Sequence, residues 1–146
     1  MNRIYADTSV LVRAYLADEP DNQVALELVF GGGTGVVTSE VTRLEFASAV
    51  TRAMRANRND AVGDYLGAFD ADCGSDGPIT LLALRPEAVL PSAHRLVTKH
   101  GLRSLDALHL AVALDEGRSM SGGALAFATH DTEQASAAAA EGLDVV

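Results

Sequence analysis

Short apolar runs recur along the chain at residues 4–6, 35–38, 79–84, 124–129 and 143–146, separated from one another by stretches with helical spacing. No other feature constrains the fold as strongly. Strands that alternate with helices imply a mainly parallel sheet covered on both faces, an α/β/α sandwich of three layers. In such sheets ligands bind beyond the carboxyl ends of the strands. The residues that follow each run are therefore the first place to look for chemistry.

The first run stops at Asp7, Thr8 and Ser9, and an apolar, helix-compatible stretch begins there. Asp7 or Thr8 is well suited to cap that helix, so capping competes with chemistry as an account of the pair. Three further acids in comparable places favour chemistry. Glu45 lies in a helix expected over 40–56, capped by Thr38 or Ser39, with a buried face traced through Val41, Leu44, Ala49 and Val50. That phase turns Glu45 inward or along a groove edge, and an inward acid is rare unless paired or bound to metal. Asp106 falls in the first turn of a helix capped by Ser104 and apolar nearly all round through Leu105, Leu108, Leu110 and Val112. His109, one turn along, reads as a packed imidazole rather than a partner of the site. Asp131 follows the fourth apolar run, beside His130.

Other signals are plainer. Gly31, Gly32 and Gly33 lack the spacing of a phosphate-binding loop and read as a helix end. Pro91 is expected to kink or restart the helix that ends at Gly101, and residues 117–123 to form a flexible link. His94 and His100 read as surface histidines. Cys73, the only cysteine, excludes an intrachain disulfide and a thiolate-rich zinc site, and reads as a loop residue.

The formal net charge is −9, from 20 Asp plus Glu against 11 Lys plus Arg. That balance argues against binding nucleic acid through bulk electrostatics, so a polyanionic substrate needs a local basic patch or a bound cation. Arg43, Arg52 and Arg55, with Arg58 just beyond, form the one marked concentration of positive charge and are candidates for contacting phosphate. The plainer reading is a solvated helix face. A chain of 146 residues has the size of a single domain, 1–146. No apolar run approaches the length of a membrane span and no secretory signal is visible, so the expected location is cytoplasmic.

In a parallel sheet, Asp7 and Asp131 end strands while Glu45 and Asp106 come from early turns of packed helices, so all four can meet at the carboxyl edge. Like charges crowded in a poorly solvated pocket force a proton onto one of them unless a cation compensates. Carboxylates without thiolate or paired imidazole suit Mg²⁺, with Mn²⁺ as a substitute, rather than Zn²⁺. Such a centre suits phosphoryl chemistry with water as the nucleophile.

Residues 5–12, residues 39–45 with Arg52 behind them, residues 103–111 with their Leu-Asp-Ala-Leu-His-Leu-Ala run, and Thr129 to Asp131 followed by an Ala-rich helix, Gly142 and Leu143 together resemble the PIN domain. They are most similar to VapC toxins of bacterial toxin-antitoxin pairs. The resemblance spans nearly the whole chain. It implies a Mg²⁺-dependent endoribonuclease whose acidic quartet is Asp7, Glu45, Asp106 and Asp131, with Asp7 and Asp106 on the metal and a hydroxyl from Ser9, Thr8 or Thr129 assisting. Glu45 would orient water or hold a second ion, and Asp131 would act through water. It further implies an RNA substrate, steered by Arg43, Arg52 or Arg55, a VapB-like antitoxin that covers the groove, and a homodimer. Two other readings use the same residues: a non-catalytic interaction module, and a phosphatase with Asp7 as nucleophile, which lacks its usual second acid because Ser9 stands two residues on.

Overall fold

A computed structural model describes residues 2–57 and 59–146, so Arg58 lies outside the described residues. Five strands, β1 (Arg3–Ala6), β2 (Gly35–Ser39), β3 (Ile79–Leu82), β4 (Leu125–Ala128) and β5 (Asp144–Val145), pair in parallel throughout, in the order β3-β2-β1-β4-β5. The winding runs outward from β1 through β2 to β3, then restarts on the other side of β1 with β4 and β5. Between β1 and β4 it reverses, and a crevice opens beyond the strand ends at such a point. Ala6 stands opposite Ala128, so the segments after β1 and β4 leave the sheet side by side. The Asp7 N–H donates to the Ala128 carbonyl at 3.1 Å.

Alternation along the strands divides the core in two. Ala6, Val36 and Ala128 pack with α1 (Thr8–Tyr15), α2 (Asn22–Phe30), α3 (Val41–Ala56) and α4 (Val62–Asp72) on one face. Tyr5, Val37 and Phe127 pack with α5 (Pro86–His100), α6 (Ser104–Val112) and α8 (Thr132–Ala140) on the other. The three-layer α/β/α sandwich expected from the pattern of runs is the observed architecture, and its sheet is wholly parallel.

Several local expectations are corrected. The buried row of α3 is Thr42, Phe46, Val50 and Met54, while Leu44 is 73% exposed. Phe46 sets the phase, because its ring stacks on Phe69 of α4 at 4.3 Å between centroids. Residues 117–123 are not a link from end to end. Helix α6 passes into a π-helical turn, Ala113–Gly117, and then α7 (Arg118–Met120), before Gly122 and Gly123 turn the chain with positive φ. Gly117 serves close packing there, since a Cβ on it would come within 2.8 Å of Leu125 Cδ2. Pro91 lies inside α5 without ending it; early in the helix, its missing N–H removes a single bond. Arg103, not Ser104, is the N-cap residue of α6, with no side-chain cap bond.

The C-terminal end of α8 is clamped to α5. Glu141, whose side chain is 9% exposed, receives Arg95 at 2.9 Å, Lys99 at 2.7 Å and His100 at 3.0 Å. His100 is thus a part-buried partner rather than a free surface histidine. Its neighbours hold the Glu141 carboxyl down at about 2, the Arg95 and Lys99 hydrogen bonds first.

Candidate functional site

The tripeptide after β1 organises the site. Asp7 is both cap and candidate ligand: its Oδ1 accepts from the Val10 N–H at 3.3 Å and from Ser9 Oγ at 2.6 Å, and its Oδ2 accepts from Thr129 Oγ1 at 2.7 Å. The carboxyl is 5% exposed. Thr8 Oγ1 reaches the other way and donates to Glu45 Oε1 at 2.8 Å. The three candidate hydroxyls, Ser9, Thr8 and Thr129, therefore all sit on acids, and adjacent residues of one turn hold two of them.

Asp131 caps α8, its Oδ1 accepting from the Gln134 N–H at 2.9 Å. Asp106, in the first turn of α6, faces it. The Arg103 guanidinium bridges the two, with Nε 3.3 Å from Asp106 and Nη2 3.1 Å from Asp131, while its own side chain is 81% exposed. Burial and then the Asp131 charge push the Asp106 carboxyl above its ordinary range against the pull of Arg103, with Asp7 adding to the rise. Of these three acids, Asp106 thus feels the charges of both Asp131 and Asp7 at the carboxyl edge.

Glu45 stands apart from that trio. It bonds to His109 Nε2 and to Thr8, and lines an open cleft of about 430 Å³ with Ser9, Ser48, Arg52 and Leu105. Although burial is the largest influence on it and acts upward, the His109 hydrogen bond and charge, with Thr8, together hold the Glu45 carboxyl below its ordinary range. The arginines separate similarly. Arg52 lines this cleft, whereas Arg43 turns to Asp70, with Nη2 at 2.9 Å, beside a different groove between α3 and α4. Arg55 is exposed one turn further along α3.

Some residues of the site carry little sequence signal. Gln134, fully buried, stands 2.7 Å from Thr129 Oγ1 through Oε1 and donates through Nε2 to the Asp106 carbonyl at 3.1 Å, tying the segments of three acids together. Only the Asp-x-x-Gln spacing of a capping box could have singled it out. His109 was expected to be merely packed; it is 2% exposed but hydrogen-bonded through both ring nitrogens, Nδ1 to Tyr5 at 2.7 Å and Nε2 to Glu45. His130 is exposed and makes no pair with Asp131; its backbone N–H donates to Ser9 Oγ at 3.3 Å.

The donors of the trio are hard carboxylate oxygens. Among the described residues, no three His, Cys, Asp or Glu side chains form a ready-made cage. A cage is not what Mg²⁺ requires, since it takes one or two carboxylates and completes its octahedron with waters and substrate phosphates. Asp7 and Asp106 therefore fit such an ion by chemistry. The Arg103 guanidinium now supplies the positive charge that Asp106 and Asp131 need, and it is a surface group that moves at little cost.

Residues 4–140 match the PIN domain family. No curated protein matches the sequence. Among solved structures, PAE2754 from Pyrobaculum aerophilum superposes with a TM-score of 0.64 at 19% identity, over 99% of this chain and 84% of that one. At that identity the likeness speaks for the fold.

Proposed function

Because this chain belongs to the PIN domain family, a fold whose members are typically metal-dependent nucleases, we propose that it is a VapC-like endoribonuclease using Mg²⁺, held in check by a VapB-like antitoxin and acting as a homodimer within the cytoplasm. The observation that carries the nuclease reading is that Asp7, Asp106 and Asp131 lie where the winding reverses, with Asp106 raised by burial and then by the charges of Asp131 and Asp7. The toxin, antitoxin and dimer parts rest on the resemblance of residues 5–12, 39–45 and 103–111 to VapC toxins.

In this reading Asp7 and Asp106 hold the ion, which when bound supplies an activated water and offsets charge on the scissile phosphate. The chain's own residues do the rest. Ser9 and Thr129 fix both oxygens of Asp7. Glu45, kept ionised, offers an acceptor for a proton of the attacking water. Arg52, on the same cleft as Glu45, draws the RNA backbone toward the acids, which an acidic protein needs. Asp131 acts through its neighbours. Of the four candidate acids, Asp131 and Asp106 share Arg103, and that bridge is the one observation favouring a non-catalytic module in which the acids are only structural.

The test is cleavage of total RNA by purified protein in Mg²⁺ and in EDTA, with end mapping of fragments. Asp7→Asn and Asp106→Asn should each lower cleavage by at least about 100-fold and leave the circular dichroism spectrum intact, since neither changes core volume. Wild-type-like cleavage by both variants refutes the site.

A further inference from the structure

His109 lies one turn after Asp106 on α6, so a single helix reaches the acid trio with one side chain and Glu45 with the next. Its surroundings fix where its proton must be. The Ser39 N–H donates to Tyr5 Oη at 3.2 Å, and that oxygen stands 2.7 Å from His109 Nδ1. Nε2 faces Glu45 Oε1 and, at 3.3 Å, Thr8 Oγ1; an ionised carboxylate offers only lone pairs, so Nε2 carries the proton between them. The Thr8 hydroxyl sends its own proton to Glu45. Glu45 Oε1 therefore accepts from both groups. A bare Nε2 would set its lone pair against those of the carboxylate.

The rest of the pocket keeps this arrangement rigid. Tyr5 is fully buried, stacked on Phe127 at 5.3 Å and edge-on to His109 at 5.9 Å. Burial pushes its phenol far above the ordinary range, so it remains a donor. Packing alone would be served by an apolar residue of the same volume, without two buried ring nitrogens to satisfy.

We propose that His109 is a positioning residue, held in place by Tyr5, and that through its Nε2–H it fixes Glu45 at the edge of the cleft. The claim rests on the nuclease reading only where Glu45 is given work to do; the proton assignment stands without it.

The experiment has two arms. In ¹⁵N-histidine-labelled, metal-free wild-type protein, His109 should show a protonated Nε2, and Tyr5→Phe should broaden that signal. In RNA cleavage, His109→Leu should lower kcat by about 10–100-fold, the scale seen when the partner of a site ligand is lost, at unchanged KM. His109→Gln, which keeps an N–H near the Nε2 position, should recover most of the loss. A bare Nε2 overturns the proposal, as does full activity in His109→Leu or failure of glutamine to restore it. If His109→Leu does not fold, the spectrum and the glutamine variant decide. Wild-type protein that cleaves no RNA defeats the nuclease reading instead, and the spectrum still settles whether Nε2 carries its proton.

Discussion

Glu141 provides a perturbation whose size can be worked out from its surroundings. Its carboxyl is lowered from an ordinary 4.5 to about 2 by Arg95, Lys99 and His100. At about 1.4 kcal/mol for each pH unit, that difference caps the linked stability at roughly 3 kcal/mol. Arg95 and Lys99 are 51% and 53% exposed, so solvent and salt screen them, and about 1–2 kcal/mol is the expected net loss in Glu141→Gln at pH 7. The sign follows from the depression: the contribution is complete above pH 4.5 and disappears as pH falls toward 2. Urea denaturation of both proteins across that range measures it, with the other titrating groups cancelling in the difference. The gap should be widest near neutrality, close below pH 4.5, and shrink in high salt. A gap that does not change with pH, or none at pH 7, refutes the reasoning. RNA cleavage by Glu141→Gln at 25 °C should match wild type, since the clamp lies at the far end of α8 from Asp131.

Three further outcomes follow from the same structure. Arg103→Ala should leave stability almost unchanged, as removal of an exposed ion pair does, yet tighten Mn²⁺ binding measured by calorimetry because it frees Asp106 and Asp131; unchanged affinity would mean the bridge does not compete with the ion. Arg52→Ala should raise the KM for RNA and flatten its salt dependence, whereas Arg43→Ala, whose partner is Asp70, should leave both as they are. The Cys73 thiol, pushed up to about 11 by burial and by Asp70 and Asp72, should react slowly with a thiol reagent at pH 8 and faster as pH climbs toward 11.

What could be read before folding was whatever depends on local pattern. The apolar runs located the strands because a strand buried on both faces is apolar throughout, and an acid directly after such a run must leave the sheet at its carboxyl edge. That reasoning placed Asp7 and Asp131 at strand ends, and only the fold makes those strands neighbours. It failed for Leu44, because the phase of α3 is set by Phe46 meeting Phe69, a contact between helices that no periodicity within α3 reveals. The helical part of residues 117–123 was read as link for a related reason: Gly117 looked like a breaker and is instead the residue small enough to let a helix touch β4. Arg43 and Arg52 look alike in sequence, and only the position of Asp70 on α4 separates them. The partners of His109 and Gln134 are invisible without the tertiary fold, since they lie on other segments: Tyr5 and Glu45 for the one, Thr129 and Asp106 for the other.

The seat of β4 beside β1 has a consequence for synthesis. A ribosome delivers β1, β2 and β3 early, but the strand that completes the crevice is among the last to emerge. Until then the free edge of β1 is a template for unwanted pairing, and Asp7 has neither the Thr129 hydroxyl nor Asp131 beside it. A half-made chain therefore carries acids without a pocket until nearly all of it has left the tunnel.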